Sequence, residues 1–263
     1  MTTDPVTSPA PAVREALDRV RRAPGLALLL DYDGTLVGFA PTPDLAVPDP
    51  GLLDLLRRLC ARPRTEVNLV SGRRRATLES WFGRLPAGLY AEHALWSRHP
   101  SGEWRAAEIP PDTWRAPVLA RLQDFTERTP GSLVEEKTAG FAWHFRAADP
   151  EWGEAQAREL AALLSTLLAG APLEVLPGEK VLEVRPRGTN KGRAVGEVIA
   201  RTPPGTLLVA LGDDRTDEDL FAALPLDAIA MHVGPAPSRA PLRLADVATA
   251  RAVLEEIAGG RCG

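Results

Sequence analysis

Short apolar runs alternate with amphipathic helical stretches near both ends of the chain, and a hairpin-rich segment separates the two series. That order predicts an α/β protein: a doubly wound, Rossmann-like parallel-sheet core with an inserted smaller α+β cap domain. A third observation supports it. Several strand-like runs of the core end in acidic or glycine-bearing clusters, and open parallel sheets keep their ligands beyond such ends.

The first series places strands at 26–30, 65–70 and 88–92, with helices at 51–61 and 74–82. The run at 26–30 is Leu and Ala throughout, as a strand buried on both faces requires. Leu52, Leu53, Leu55, Leu56 and Leu59 recur at helical spacing. The last third resumes the alternation with helices at 191–200, 216–224 and 251–258 and strands at 207–211 and 228–233. Between about 110 and 186 the pattern is helix, two strands, helix, two strands. Its helices are expected at 112–128 and 151–168. Its hairpins pair 133–137 with 140–146, and 173–176 with 180–185, closing at Thr138-Ala139-Gly140 and Pro177-Gly178. The core is therefore expected over 14–109 and 187–263, and the cap over 110–186. Residues 1–13 are rich in Thr, Pro and Ala and are expected to form a flexible leader, not a secretion signal.

Composition excludes several classes. The 263 residues carry a net charge of −4 and are 44% hydrophobic, an ordinary globular balance. No basic excess points to nucleic acid, and no apolar run approaches the roughly 20 residues of a membrane span. Cys60 falls in an amphipathic helix and Cys262 in a Gly-rich tail, so a structural disulfide is not expected and a reducing cytoplasm is.

The most informative stretch is Leu30-Asp31-Tyr32-Asp33-Gly34, where a buried strand ends in two carboxylates one residue apart. Such a pair can be a capped turn. It can also hold a hard cation such as Mg²⁺, which relieves the mutual repulsion. Further clusters at neighbouring strand ends favour the second reading. Ser71-Gly72-Arg73 follows one strand and Gly212-Asp213-Asp214 another, while Asn190-Lys191-Gly192 opens the helix that re-enters the core. Each suits phosphoryl transfer. Asp31 can attack phosphorus, and Asp33, on the same side of the strand, can act as acid and base. Ser71 and nearby N–H groups can hold phosphate oxygens, and Lys191 can neutralise charge. Asp31, Asp33 and Asp213 are the expected metal ligands, with Asp214 and Asp217 positioning the site from behind.

This ordered set resembles the haloacid dehalogenase superfamily of Mg²⁺-dependent phosphatases. Within it the chain is similar to the trehalose-6-phosphate phosphatases. The finer resemblance rests on Ala91-Glu92-His93, Val134-Glu135-Glu136-Lys137, His144-Phe145-Arg146 and Gly178-Glu179-Lys180-Val181-Leu182-Glu183. It implies hydrolysis of a phosphorylated disaccharide under a cap that closes over the core site. The implied substrate contacts are Gly34, Gly72, Arg73, Glu92, His93, Lys137, His144, Arg146, Lys180 and Glu183. It also implies a monomer acting on a small-molecule sugar phosphate, with any synthase on a separate chain. Two positions depart from the family pattern: Ala94 stands where Gly is usual, and Glu179 where a basic residue is common. Both bear on the sugar more than on the phosphate. Another sugar or pseudo-disaccharide phosphate is the alternative substrate, and a non-catalytic sugar-phosphate sensor the alternative class. Strand alternation sets Phe141, Trp143 and Phe145 against His144 and Arg146, so one face of the cap can be a core and the other a sugar surface. The tryptophans of this segment are expected to pack in the core.

Overall fold

The computed structural model describes residues 11–259. Residues 1–10, the greater part of the expected leader, and Cys262 lie outside them. The leader's last three residues are helical, because Val13, Ala16, Leu17 and Val20 form a buried stripe on α1 (Pro11–Arg22).

The chain continues through β1 (Gly25–Leu30), α2 (Pro50–Ala61), β2 (Thr65–Val70), α3 (Arg75–Phe82), β3 (Gly88–Ala91), β4 (Trp96–Arg98) and β5 (Arg105–Ala106). Asp49 caps α2 by accepting the Leu52 N–H at 2.9 Å, with Pro50 at the first turn. The inserted segment supplies α4 (Arg115–Arg128), β6 (Leu133–Lys137), β7 (Gly140–His144), α5 (Pro150–Leu167), β8 (Leu173–Gly178) and β9 (Val181–Pro186). The core resumes with α6 (Gly192–Arg201), β10 (Thr206–Gly212), α7 (Asp217–Ala223), β11 (Ile229–Val233), β12 (Leu242–Leu244) and α8 (Val247–Ile257).

The main sheet has eight strands in the order β12-β11-β10-β1-β2-β3-β4-β5. The first six are parallel, and β4 and β5 add antiparallel at one edge. From β1 the chain winds outward to β2 and β3, then returns to β10 on the other side of β1 and winds the opposite way. The boundary between β1 and β10 is therefore the switch point where a crevice opens beyond the strand ends. Side chains of β1 alternate between two buried layers. Leu26, Leu28 and Leu30 pack with residues of α1, α2, α3 and α8, and Ala27 and Leu29 with residues of α6 and α7.

The insert forms a second sheet, β6-β7-β9-β8, entirely antiparallel. Its own core joins α4 and α5 to one sheet face. Trp143 is fully buried there, 5.3 Å from the Phe145 ring and edge-on to Phe125. Phe141 meets Trp114 edge to face at 5.7 Å. Trp152 differs from its fellows: it is 49% exposed on α5.

Several elements differ from the sequence reading, among them α1 and β12, which it did not place. The segment after β3 adds β4 and β5, which are short and charged and owe their strand geometry to the sheet edge beside them. The first helix of the insert begins with a separate 3-10 turn at Asp112–Trp114. The last helix starts at Val247, where the Asp246 carboxylate accepts the Thr249 N–H at 2.7 Å. Replacing Trp143 with Ala should lower the free energy of unfolding by about 3–5 kcal/mol. Chemical denaturation measures this; a loss below about 1 kcal/mol would mean that the insert's core does not rest on this ring.

Candidate active site

Asp31 follows the last residue of β1, and its N–H donates to the Leu211 carbonyl on β10 at 3.0 Å. That bond extends the β1–β10 ladder by one step and delivers the side chain into the switch-point crevice, only 3% exposed. Lys191, at the N-cap of α6, reaches the same place. Its Nζ donates to Asp31 Oδ1 at 2.7 Å and to Asp217 Oδ1 at 2.8 Å. Asp31, Asp213 and Asp217 each offer a carboxylate oxygen, and these atoms lie within 4.8 Å of one another.

This group is short of positive charge. Burial raises the Asp31 pKa, against the opposing pull of Lys191. Burial, then the Asp31 charge, pushes Asp213 up to about 10, and the same causes push Asp217 up to about 8. Lys191 is held well above its ordinary value by Asp217 and Asp31, in spite of its own burial. One carboxylate oxygen, Asp31 Oδ2, is buried without a hydrogen-bond partner. Hard oxygen donors, excess negative charge and an orphaned oxygen are what a divalent cation fits.

Neighbouring residues fix this cluster. Gly34 has φ +80°, and a Cβ there would lie 2.0 Å from Asp213 Oδ2, so only glycine lets the Asp213 carboxylate come in. Thr35 Oγ1 donates to Asp213 Oδ1 at 3.2 Å. Asp217 Oδ2 accepts the N–H groups of Asp213 and Asp214 at 3.1 and 3.2 Å, tying the loop after β10 to α7. The Asp214 carboxylate accepts the Thr216 N–H.

Asp33 stands apart from the acidic group. Arg73 grips it through both oxygens, Nε to Oδ2 at 2.8 Å and Nη2 to Oδ1 at 2.6 Å. The guanidinium lies 4.7 Å from the Trp81 ring and donates to the Pro43 carbonyl at 2.7 Å. Asp33 and Asp217 stand otherwise than the sequence reading placed them. Asp217, read as a residue behind the site, shares Lys191 with Asp31, while the Asp33 carboxylate faces Arg73. Ser71 Oγ accepts the Arg73 N–H at 3.1 Å. A Cβ on Gly72 would lie 2.7 Å from His93 Nε2, so glycine makes room for that ring.

The insert covers this crevice, and the cleft between them encloses about 160 Å³. Lys137, His144, Arg146, Lys180 and Glu183 line it from the insert side, and His93 from the core. Glu183 is paired with Lys137 and lies 2.7 Å from His93 Nε2. Burial alone would raise its pKa, but His93 and Lys137 hold it well below the usual carboxylate range. Arg146 donates to the Glu179 carbonyl at 2.7 Å and stacks over Phe39 at 4.4 Å. Lys180 Nζ donates to Glu154 at 2.6 Å. Two of the expected substrate contacts do not line the cleft: Gly34, packed against Asp213, and Glu92, both of whose oxygens accept hydrogen bonds from Thr138. Among the cleft residues that the sequence reading did not place there are Glu135 and Phe39. Glu135 sits two positions before Lys137 on β6, on the same face, and that alternation was the available signal. Phe39 lies in a loop with no periodicity to mark it.

The raised acids predict a pH dependence. Asp213 and Asp217 bind protons more tightly in the folded protein than an ordinary aspartate does. Their contribution to stability is full below about pH 4 and is lost as pH rises toward their folded values. A divalent cation held by these carboxylates would replace those protons. Its stabilising effect, read as a shift in melting temperature, should therefore grow between about pH 5 and about pH 8. Equal shifts at both values, or none, would count against a cation in this cluster.

The model of the family described as Trehalose-phosphatase matches residues 29–241. A bifunctional trehalose-6-phosphate synthase/phosphatase of Thermoproteus tenax is 47% identical over 230 residues, 88% of this chain and 31% of that protein. A trehalose-phosphatase of Schizosaccharomyces pombe is 40% identical, over 80% of this chain and 26% of its own length. The chain thus spans about a third or less of these relatives. Among solved structures, the C-terminal domain of the C. albicans trehalose-6-phosphate phosphatase superposes with a TM-score of 0.88 at 29% identity, covering 98% of this chain and 100% of that one. A haloacid dehalogenase-like hydrolase from Bacteroides thetaiotaomicron, 13% identical with a TM-score of 0.65 over 89% of this chain and 98% of its own, shares the fold. With the family model spanning the strand that carries Asp31 through to the loop beyond β11, the chain belongs to the trehalose-phosphatase family.

Proposed function

We propose that this protein hydrolyses trehalose 6-phosphate to trehalose and phosphate, with Mg²⁺, through an aspartyl-phosphate on Asp31. The observation that carries the reading is the buried Asp31 carboxylate, one oxygen on Lys191 and the other without a partner. An oxygen in that state is free to attack phosphorus, and burial excludes competing water. Lys191 holds the attacking carboxylate in place and offsets charge on the phosphoryl oxygens. Asp33, oriented by both nitrogens of Arg73, protonates the leaving sugar oxygen and later takes a proton from the hydrolytic water. The backbone at Gly72, which lines the cleft, receives the phosphate, while the Ser71 N–H donates to the Tyr90 carbonyl and the Arg73 N–H to Ser71 Oγ. Asp31, Asp213 and Asp217 would hold the Mg²⁺, which supplies charge neutralisation to the phosphoryl group when bound.

The insert's polar face supports a sugar ligand. Lys137, His144, Arg146, Lys180, Glu183 and Glu135 offer donors and acceptors in alternation, which suits ring hydroxyls. The reading extends to a cytoplasmic monomer whose substrate a synthase supplies; the T. tenax relative's name joins those two activities. Replacing Asp31 with Asn should remove phosphate release, by a factor above about 10³, with the melting curve still cooperative. Phosphate release from a panel of sugar phosphates, with and without Mg²⁺, tests the substrate. Full turnover by the Asn variant would overturn the nucleophile, and faster release from another sugar phosphate would overturn trehalose 6-phosphate.

A further inference from the structure

Glu92, His93 and Ala94 take φ values of +50°, +57° and +66°. Three successive side-chain-bearing residues in the left-handed region are costly, and the surrounding structure must hold them there. It does so with backbone bonds: Glu92 N–H to the Arg73 carbonyl, His93 N–H to the Ser71 carbonyl, and Leu95 N–H to the Glu92 carbonyl, all between 3.0 and 3.1 Å. The turn is thereby fastened to the Ser71–Arg73 loop of the phosphoryl site.

The turn points Glu92 away from the cleft. Its carboxylate is 5% exposed at the residue level and touches no cation of the core. Both oxygens instead receive hydrogen bonds from one residue of the insert. Thr138 N donates to Oε2 at 2.8 Å, and Thr138 Oγ1 donates to Oε1 at 2.9 Å. The same hydroxyl accepts from Trp96 Nε1 at 3.0 Å, and the Arg75 guanidinium covers the Trp96 ring at 4.2 Å. Thr138 is the tip of the β6–β7 hairpin, so a buried carboxylate and an indole from the core close around one point of the insert.

The chain neighbours of this pair give it a consequence. His93 follows Glu92, and Lys137 precedes Thr138. Those two meet at Glu183 on β9, in the cleft. A shift of Thr138 against Glu92 must carry Lys137 away from His93, because each is one peptide from the contact.

We propose that the Glu92–Thr138 contact is the pivot that sets the register of the insert on the core, with Thr138 and Glu92 as positioning residues for sugar recognition. The proposal rests on the sugar-phosphate reading above for its kinetic consequence, but not for its structural one. The left-handed turn is rigid by construction, so it offers the hairpin tip a single docking place. Lifting the tip leaves a carboxylate without both partners inside a largely buried setting, which favours the docked arrangement.

Thr138→Val keeps the side-chain shape and removes the hydroxyl, and Thr138→Ser keeps the hydroxyl. Steady-state kinetics with trehalose 6-phosphate and with 4-nitrophenyl phosphate separate sugar placement from phosphoryl chemistry. Hydrogen exchange over residues 133–144 reports docking of the hairpin without any substrate. The Val variant should raise KM for the sugar phosphate about tenfold, the loss of one hydrogen bond to a charged group. It should leave kcat/KM for the aryl phosphate within about twofold and speed exchange in the hairpin. The Ser variant should behave as wild type. Unchanged KM for the sugar phosphate, or equal losses on both substrates, would overturn the proposal. If the wild-type protein fails to release phosphate from trehalose 6-phosphate, the substrate reading fails and exchange alone decides: unchanged exchange in the Val variant overturns the pivot, and faster exchange sustains it.

Discussion

A single ammonium group, Lys191, lies between two buried carboxylates, and the third carboxylate of the cluster has no cation of its own. The groups beyond the carboxyl ends of β1 and β10 are arranged around that imbalance. Parallel pairing of β1 with β10 aligns Leu30 with Leu211, so Asp31 and Asp213 leave adjacent strands at almost the same height. Their repulsion is tolerable only because α6 brings Lys191 in from the chain beyond the insert. A fold whose winding did not reverse at β1 would have no crevice for the group. The charge deficit is what would draw a cation into the cluster, and a phosphoryl group, itself negative, would be met there by Lys191 and that cation.

Loop chemistry converts that constraint into geometry. Gly34 admits the Asp213 carboxylate, Asp217 ties its loop to α7, and Arg73 holds Asp33 at a distance from the other acids. Separating the acids in this way gives them different surroundings: one oxygen of Asp31 is bare, while both oxygens of Asp33 are occupied. The insert completes the arrangement with its own apolar core behind its sheet, so the polar face toward the cleft is built from residues outside that core. The same β7 strand serves both sides, with Phe141 and Trp143 buried and His144 toward the cleft.

Much of this was legible along the chain. Continuous apolar runs marked the parallel strands, and the change to paired strands with turn residues marked the insert. Where the reading fell short, the missing signal was non-local. β4 and β5 are strands because an edge is present beside them, and their own residues are charged and short. α1 went unread, its first three residues taken with the leader, because the helical stripe at Val13 to Val20 lies against α8 and β12, elements at the opposite end of the sequence.

In the site, the chain alone pointed to which residues converge: Asp31, Lys191 and Asp213 sit at strand or helix ends that a parallel sheet must bring to one edge. It did not determine which partner each side chain takes. Asp33 and Asp217 are both acids one turn from the centre, and only the position of Arg73 and Lys191 in space assigns one to each. Glu92 looked like a ligand group beside His93 until three left-handed residues turned it toward Thr138. Strand ends follow from local periodicity and chirality, which are written residue by residue. Pairings between charges depend on distances across the fold, from Lys191 to Asp31 and from Glu92 to Thr138, and those exist only once the core and the insert have packed.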